Sequence, residues 1–213
     1  MTLYGPDYSA YARIARLALE EKGVAYDLVD VDFVEGGGMP AEHLARHPFA
    51  KVPVLVHGDR SIYETLAIEV YVDRVFPGPS LQPDDPVALA RMFQIIGVID
   101  SYLSYPLREQ LVSERLFREP FGEVPDGSVV AASLPAITRS LDAIEALAAG
   151  PFLAGVGLSL GDLHAIPMID YLLMCPEGAP LIEARPGLAA WWRRVAGRSS
   201  VVRTRPDLSR IGA

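Results

Sequence analysis

Over the first 76 residues the apolar positions switch between alternation and a three-to-four-residue spacing, which marks strands exchanging with amphipathic helices. "TLYG" (2–5) reads as a short strand, and "SAYARIARLALEEKG" (9–23) as a helix with Tyr11, Ile14, Ala15 and Ala18 on one face and Gly23 placed to end it. "VAYDLVDVD" (24–32) alternates partially, as a second strand would. "VEGGGMPAEHLARHP" (34–48) is a glycine-rich loop followed by a short helix that Pro48 stops. "VPVLV" and "SIYE" flank "HGDR" as the arms of a hairpin, and "TLAIEVYVDRVF" (65–76) returns to helical spacing. The predicted order is β-α-β-α-β-β-α.

"PGPSLQPDDP" (77–86) is rich in proline and unlike the chain on either side, so it reads as a linker. Beyond it no strand pattern returns. Helical spacing runs through "VALARMFQIIGVIDSYLSYPLREQLVSERLF", "SVVAASLPAITRSLDAIEALAA", "SLGDLHAIPMIDYLLM" and "GLAAWWRRVAG". The expected fold is therefore α/β plus all-α: an α/β domain over 1–77, a linker over 78–85 and a helical bundle over 86–213. A cleft between the two is the default place for a ligand.

Composition narrows the function classes. Half of the 213 residues are hydrophobic, enough for packed cores without staples. The single cysteine, Cys175, excludes an internal disulfide and any multi-thiolate metal site, and fits a reducing compartment; the expectation is cytoplasmic. The first residues have neither a basic start nor an apolar signal core. Apolar stretches are interrupted by Pro, Asp or Gly before the roughly 20 residues a spanning helix needs, so a soluble protein without a membrane partner is expected. With 19 basic and 27 acidic residues the net charge of -8 repels polyanions. The five arginines of "WWRRVAGRSSVVRTRP" suit a solvated face, so no nucleic-acid partner is expected.

Three places carry candidate chemistry. Ser9 stands where the first strand turns into the first helix. The residue type fits an N-cap, and the same helix end would also favour an incoming anion such as a thiolate. Glu64 and Thr65 stand at the next strand-to-helix junction. They can serve as cap and first-turn acid, or hold the carboxylate and ammonium of an amino-acid head group. Between them lies Val52-Pro53, where proline removes a ladder donor. An ordinary trans proline on an edge strand accounts for it, and so does a cis bond that leaves the main chain of Val52 to pair with an extended peptide.

Other constellations carry less. "PDYSAY" has no cysteine, which excludes a Cys-x-x-Cys redox function. His43 and His47 have the i, i+4 spacing of a metal pair, but Pro48 ends the helix and no third ligand is evident, so no metal is expected. Ser159 and Asp162 fit a capping box, with no base placed to make them a hydrolytic dyad.

"SAYARIARLALEEKGVAYDLVDVD", "HPFAKVPVLV" and "SIYETLAIEVYVDRVFP", with "LSLGDLHAIP" and "GLAAWWRRV" further on, together resemble the glutathione S-transferase superfamily over nearly the whole chain. The resemblance is to a serine-type, bacterial-like or tau/zeta-like member. It implies a thioredoxin-like first domain, glutathione as co-substrate, an apolar electrophile as second substrate and a homodimer. Ser9 then matches the serine that activates the glutathione thiol, with Tyr8 as runner-up. Val52 matches the residue whose main chain pairs with the cysteinyl part, Pro53 the cis-proline, and Glu64 and Thr65 the pair that holds the γ-glutamyl group. Lys51 lends positive charge to the carboxylates of glutathione. Tyr11, Tyr102 and Tyr105 are candidates for the co-substrate pocket, although the stripe holding Tyr102 and Tyr105 also has the spacing of a core face. The chain departs from the family at Met39, where a lysine is usual, and at His47 and Ala50, where Asn and Gly are usual. The same resemblance leaves open a non-catalytic glutathione-binding or scaffold protein, or a glutathione-dependent isomerase, dehalogenase or peroxidase.

Overall fold

The computed structural model describes residues 1–31 and 38–208. The chain divides into two compact units, one made of Met1–Ser80 with Ser199–Asp207 and the other mainly of Leu81–Arg198. The first unit contains β1 (Thr2–Tyr4), β2 (Asp27–Val29), β3 (Val54–His57) and β4 (Arg60–Tyr63), with α1 (Ala10–Glu21), α2 (Ala41–Arg46) and α3 (Thr65–Val75). The sheet runs β2-β1-β3-β4. β1 is parallel to β2 and antiparallel to β3, and β3 is antiparallel to β4. This is the predicted order, and the sheet and its helices form a thioredoxin-like domain.

Two strands are shorter than their sequence patterns. Gly23, at φ +64°, turns the chain out of α1, and Val24 still donates back to Leu19 at 2.9 Å, so β2 starts only at Asp27. Its far end is closed by the Asp30 carboxylate, which accepts from the Val31 N–H at 2.7 Å. Asp32 of the expected strand and residues 34–37 of the glycine-rich loop lie outside the described residues. β3 begins after Pro53, which has no N–H to donate, and not at Val52.

The second unit holds α4 (Pro86–Val98), α5 (Gly127–Leu147), α6 (Leu160–Met174), α7 (Gly178–Glu183) and α8 (Pro186–Val195). Asp85 and Asp126 cap α4 and α5 through their carboxylates. After α4 the helical path continues with wider turns over Ile99–Leu103 and Tyr105–Phe117, a segment in which Pro106 supplies no N–H. Periodicity had marked one uniform helix there. The short α7 had no sequence signal. Leu160 to Leu172 is buried without a break, so α6 is the core of this unit and has no polar face. By length and composition Pro86–Leu103 is long and apolar enough to cross a membrane, and Arg91, Gln94, Gly97 and Asp100 lie within it.

The linker and chain end also sit differently from the sequence division. Leu81, assigned to the linker, is buried, and its carbonyl accepts from the Leu160 N–H at 2.9 Å. The last helix, α9 (Ser199–Thr204), was expected in the bundle and instead packs on α1 of the first unit. Arg13, fully buried, donates to the Val201 carbonyl at 3.2 Å and to the Thr204 hydroxyl at 3.4 Å. Arg16 reaches the Arg203 carbonyl at 3.4 Å. At the other end of α1, Lys22 pairs with Asp73 of α3 at 2.8 Å in a buried salt bridge and donates to the Pro79 carbonyl at 2.8 Å. A guanidinium without acceptors would not tolerate this burial, so the tail of the chain belongs to the packing of α1.

Asp162 concentrates a comparable requirement at the start of α6. Its Oδ2 accepts from the N–H and hydroxyl of Ser159 at 2.8 and 2.7 Å, which closes the capping box. Its Oδ1 accepts from the Leu153 N–H at 2.9 Å and from Trp191 Nε1 of α8 at 2.7 Å. Burial pushes this carboxyl above its ordinary range, and the four donors pull it back. Asp162→Ala strands those donors in the core. It is expected to lower stability by about 3 kcal/mol or more in urea unfolding; a midpoint shift equivalent to less than about 1 kcal/mol would contradict the role.

Candidate functional site

Gly5, just past β1, governs how closely the elements of the first unit meet. It lies at φ +153°, and a Cβ built on it would stand 3.1 Å from Ala12 Cβ in the first turn of α1 and 3.4 Å from Val52 Cβ. The amino end of α1 and the Val52-Pro53 corner are therefore neighbours across a glycine. A side chain there would wedge them apart.

Ser9 is the N-cap of α1, with φ -69° and ψ 121°. Its Oγ accepts from the Ala12 N–H at 3.2 Å. The oxygen is engaged as an acceptor, so the hydroxyl proton remains available to donate, and cap and donor are compatible roles for one side chain. Tyr8 is partly exposed. Burial first, then the charges of Asp30 and Asp7, push its phenol above the ordinary value of 10, an environment that disfavours added negative charge. Tyr4 packs beneath the Arg46 guanidinium at 4.1 Å, and Tyr11 is half-buried.

The Val52-Pro53 bond is cis. Among the described residues no hydrogen bond reaches the main-chain N–H or C=O of Val52, whereas Val54 already pairs with Tyr4 and Tyr63. Lys51 is exposed, and its carbonyl is held by His43 Nε2 at 2.8 Å. At the β4-α3 junction Glu64 stands at φ +68° and ψ 119°, a left-handed setting that costs a non-glycine residue on the order of 1–3 kcal/mol. Its side chain makes no cap bond and is exposed, while its carbonyl accepts from Ile68 at 3.0 Å. Thr65 is the first residue of α3 and is buried, so the unpaired N–H groups of that helix begin beside its hydroxyl.

Five of the sequence candidates, Ser9, Val52, Pro53, Glu64 and Thr65, thus stand at two helix amino ends and one interrupted strand of the same unit, with Lys51 beside them. Tyr102 and Tyr105 belong to the other unit and are 68% and 67% exposed, which makes them surface residues and not the core face their spacing allowed. Met39 is half-buried. His43 and His47 bind main-chain atoms of the loop before Val52, a role hidden from spacing analysis; the signal was His47 and Ala50 at positions where the loop usually has Asn and Gly. Among the described residues no cluster of three metal-ligating side chains occurs. Burial pushes the Cys175 thiol up to about 12, so it is not a competing nucleophile near neutrality.

Known proteins resemble the chain over most of its length. Residues 3–80 match the glutathione S-transferase N-terminal domain and residues 104–199 the glutathione S-transferase C-terminal domain. The chain is 35% identical to glutathione S-transferase 4 of Zea mays, over 92% of this chain and 87% of that one. It is 31% identical to glutathione S-transferase F10 of Arabidopsis thaliana, over 94% of each. The structure of maize glutathione S-transferase I in complex with an atrazine glutathione conjugate superposes with a TM-score of 0.83 at 30% identity, covering 95% of each chain. The chain belongs to the glutathione S-transferase family. The F-series naming of the Arabidopsis relative gives no support to the tau- or zeta-like placement expected from the sequence.

The Gly5 contact yields a direct test. Gly5→Ala must push Ala12 or Val52 away and hold φ in a region that alanine rarely adopts, at an expected cost of about 1–3 kcal/mol. Chemical denaturation monitored by tryptophan fluorescence reads this, and a wild-type midpoint would show that the approach is not tight.

Proposed function

We propose that the chain is a glutathione transferase in which Ser9 donates a hydrogen bond to the glutathione sulfur and stabilises it as a thiolate. The observation that carries the proposal is the Ser9 hydroxyl itself: Oγ accepts the cap bond from Ala12 at 3.2 Å, and its proton is left to face a ligand at the positive end of α1. The main chain of Val52, beside the cis Pro53, pairs with the cysteinyl part of the tripeptide. The exposed Glu64 carboxylate takes the γ-glutamyl ammonium, and Thr65 with the first N–H groups of α3 takes its carboxylate. Lys51 adds positive charge for the remaining carboxylate. The strained Glu64 supports this part of the reading, because such conformations persist where a site needs them.

The chemistry is nucleophilic transfer. The thiol proton passes to solvent, the sulfur lone pair forms a bond to an electrophilic carbon of an apolar co-substrate, and the leaving group departs with the electron pair of the bond it gives up. A free thiol with a pKa near ~8.5 is about 3% ionised at pH 7, and lowering it by two units makes roughly three quarters reactive for ~2.7 kcal/mol. One hydroxyl hydrogen bond and one helix end, each worth on the order of 1 kcal/mol or somewhat more, are of the right size. That the maize relative was solved with an atrazine glutathione conjugate supports an apolar, displaceable co-substrate here. Exposed Tyr102 and Tyr105, with Tyr11, remain the proposed co-substrate residues. The proposal extends to a cytoplasmic homodimer, supported by family membership and by exposed Val87 and Phe93 on α4.

A second reading, a glutathione-binding scaffold without turnover, is favoured only by Met39 in place of the usual lysine. Ser9→Ala separates the two. It is expected to lower kcat/KM with a model aryl halide about ten- to a hundredfold, to raise the pH at which the ultraviolet thiolate band of bound glutathione appears, and to leave glutathione affinity nearly unchanged. Full activity in Ser9→Ala together with loss in Tyr8→Phe would move the role to Tyr8, and wild-type retention on immobilised glutathione without turnover would favour the scaffold.

A further inference from the structure

The turn that delivers Lys51 and Val52 is closed on an imidazole. His47, 3% exposed, uses Nδ1 to accept the Phe49 N–H at 3.3 Å, and its own carbonyl accepts the Ala50 N–H at 3.0 Å. Ala50 turns through φ +55°, the left-handed setting that glycine would occupy freely. The His47 ring lies 4.8 Å from that of Tyr63, the residue before Glu64. An acceptor nitrogen carries no proton, so this geometry belongs to the neutral ring with its hydrogen on Nε2.

We propose that His47 is a positioning residue for glutathione: its neutral imidazole holds the loop that presents Lys51 and the Val52 main chain, and its protonation releases that loop and weakens binding. The inference rests on the glutathione reading above. His43 sets the contrast. Its Nε2 donates to the Lys51 carbonyl at 2.8 Å, so it holds the loop as a donor where His47 holds it as an acceptor. The groups facing His47 are Glu64 from the β4-α3 junction, His43 from α2 and Lys51 from the loop, with the Tyr63 phenol ring from β4. The adjacent Arg46 is turned away, paired with Glu42 and stacked over Tyr4.

Burial is the largest influence holding the His47 ring below its ordinary 6.5; Glu64 opposes it, and His43 and Lys51 reinforce it. The sign follows. A histidine with a depressed folded value contributes fully above the unfolded value near 6.5, and the contribution is lost as pH falls from there through the folded value. Protonation also removes the acceptor of the Phe49 N–H, so binding is expected to be stronger at neutrality and to weaken as the pH falls through the depressed value of the ring.

Calorimetric titration with an S-alkyl glutathione, which has no thiol to ionise, tests this between pH 7.5 and 5.5. Wild-type affinity is expected to weaken about five- to tenfold over that range, the scale of one hydrogen bond. His47→Asn, whose Oδ1 accepts the same N–H but does not titrate, should give a flat profile, and His47→Ala should bind weakly at both ends. A flat wild-type profile, tighter wild-type binding in acid, or an Asn variant that follows the wild-type slope would each overturn the inference. No wild-type binding at pH 7.5 is a separate outcome that removes the glutathione site itself and the inference with it.

Discussion

The constraint on which the site depends is the close approach of the Val52-Pro53 corner to the first turn of α1 across the bare Cα of Gly5. A helix amino end attracts negative charge over little more than one turn, so an anion has to be brought to it by a ligand held elsewhere. In the proposed reading the holding element is the entrance to β3, whose ladder begins one residue late because Pro53 has no N–H, and where Val52 has no main-chain partner among the described residues. Neither part suffices alone. Ser9 without the Val52 main chain is a helix cap, and the Val52 corner without Ser9 is an unfinished strand.

The chemistry asked of Ser9 uses a property of hydroxyls that amides and carboxylates lack. One oxygen accepts and donates at once, so the interaction that stabilises α1 also orients the proton that a sulfur would need. The chain's own sulfur is in the opposite situation. Cys175 is buried, its thiol is pushed to about 12 and it donates to the Tyr171 carbonyl at 3.5 Å, so the protein holds no thiolate of its own at neutral pH.

Much of this was legible along the sequence because it is local. The apolar spacing of α1, Gly23 at its end, the hairpin around Gly58 and the capping box at Ser159 each lie within a few residues of their cause. What was hidden depends on partners distant in sequence or on backbone atoms. Nothing in "GLAAWWRRV" says that the Trp191 indole donates to a carboxylate 29 residues earlier. Nothing in the spacing of His43 and His47 says that one ring supports a carbonyl eight residues on and the other an N–H two residues on. The same spacing suggests a metal pair, and only the direction of each nitrogen decides. The wide turns from Ile99 onward were equally invisible, because they change which carbonyl accepts each N–H and not which residue types the segment contains.

The seating of α9 on Arg13 and Arg16 means that the first unit is not a contiguous stretch of the chain. A fragment ending after the proline-rich junction would carry every residue proposed to hold glutathione and yet lack the Val201 and Thr204 acceptors of the Arg13 guanidinium and the helix that covers it. Ribosomal synthesis therefore completes this unit only when the final helix emerges. Any reshuffling of its parts among related proteins would have to move head and tail together.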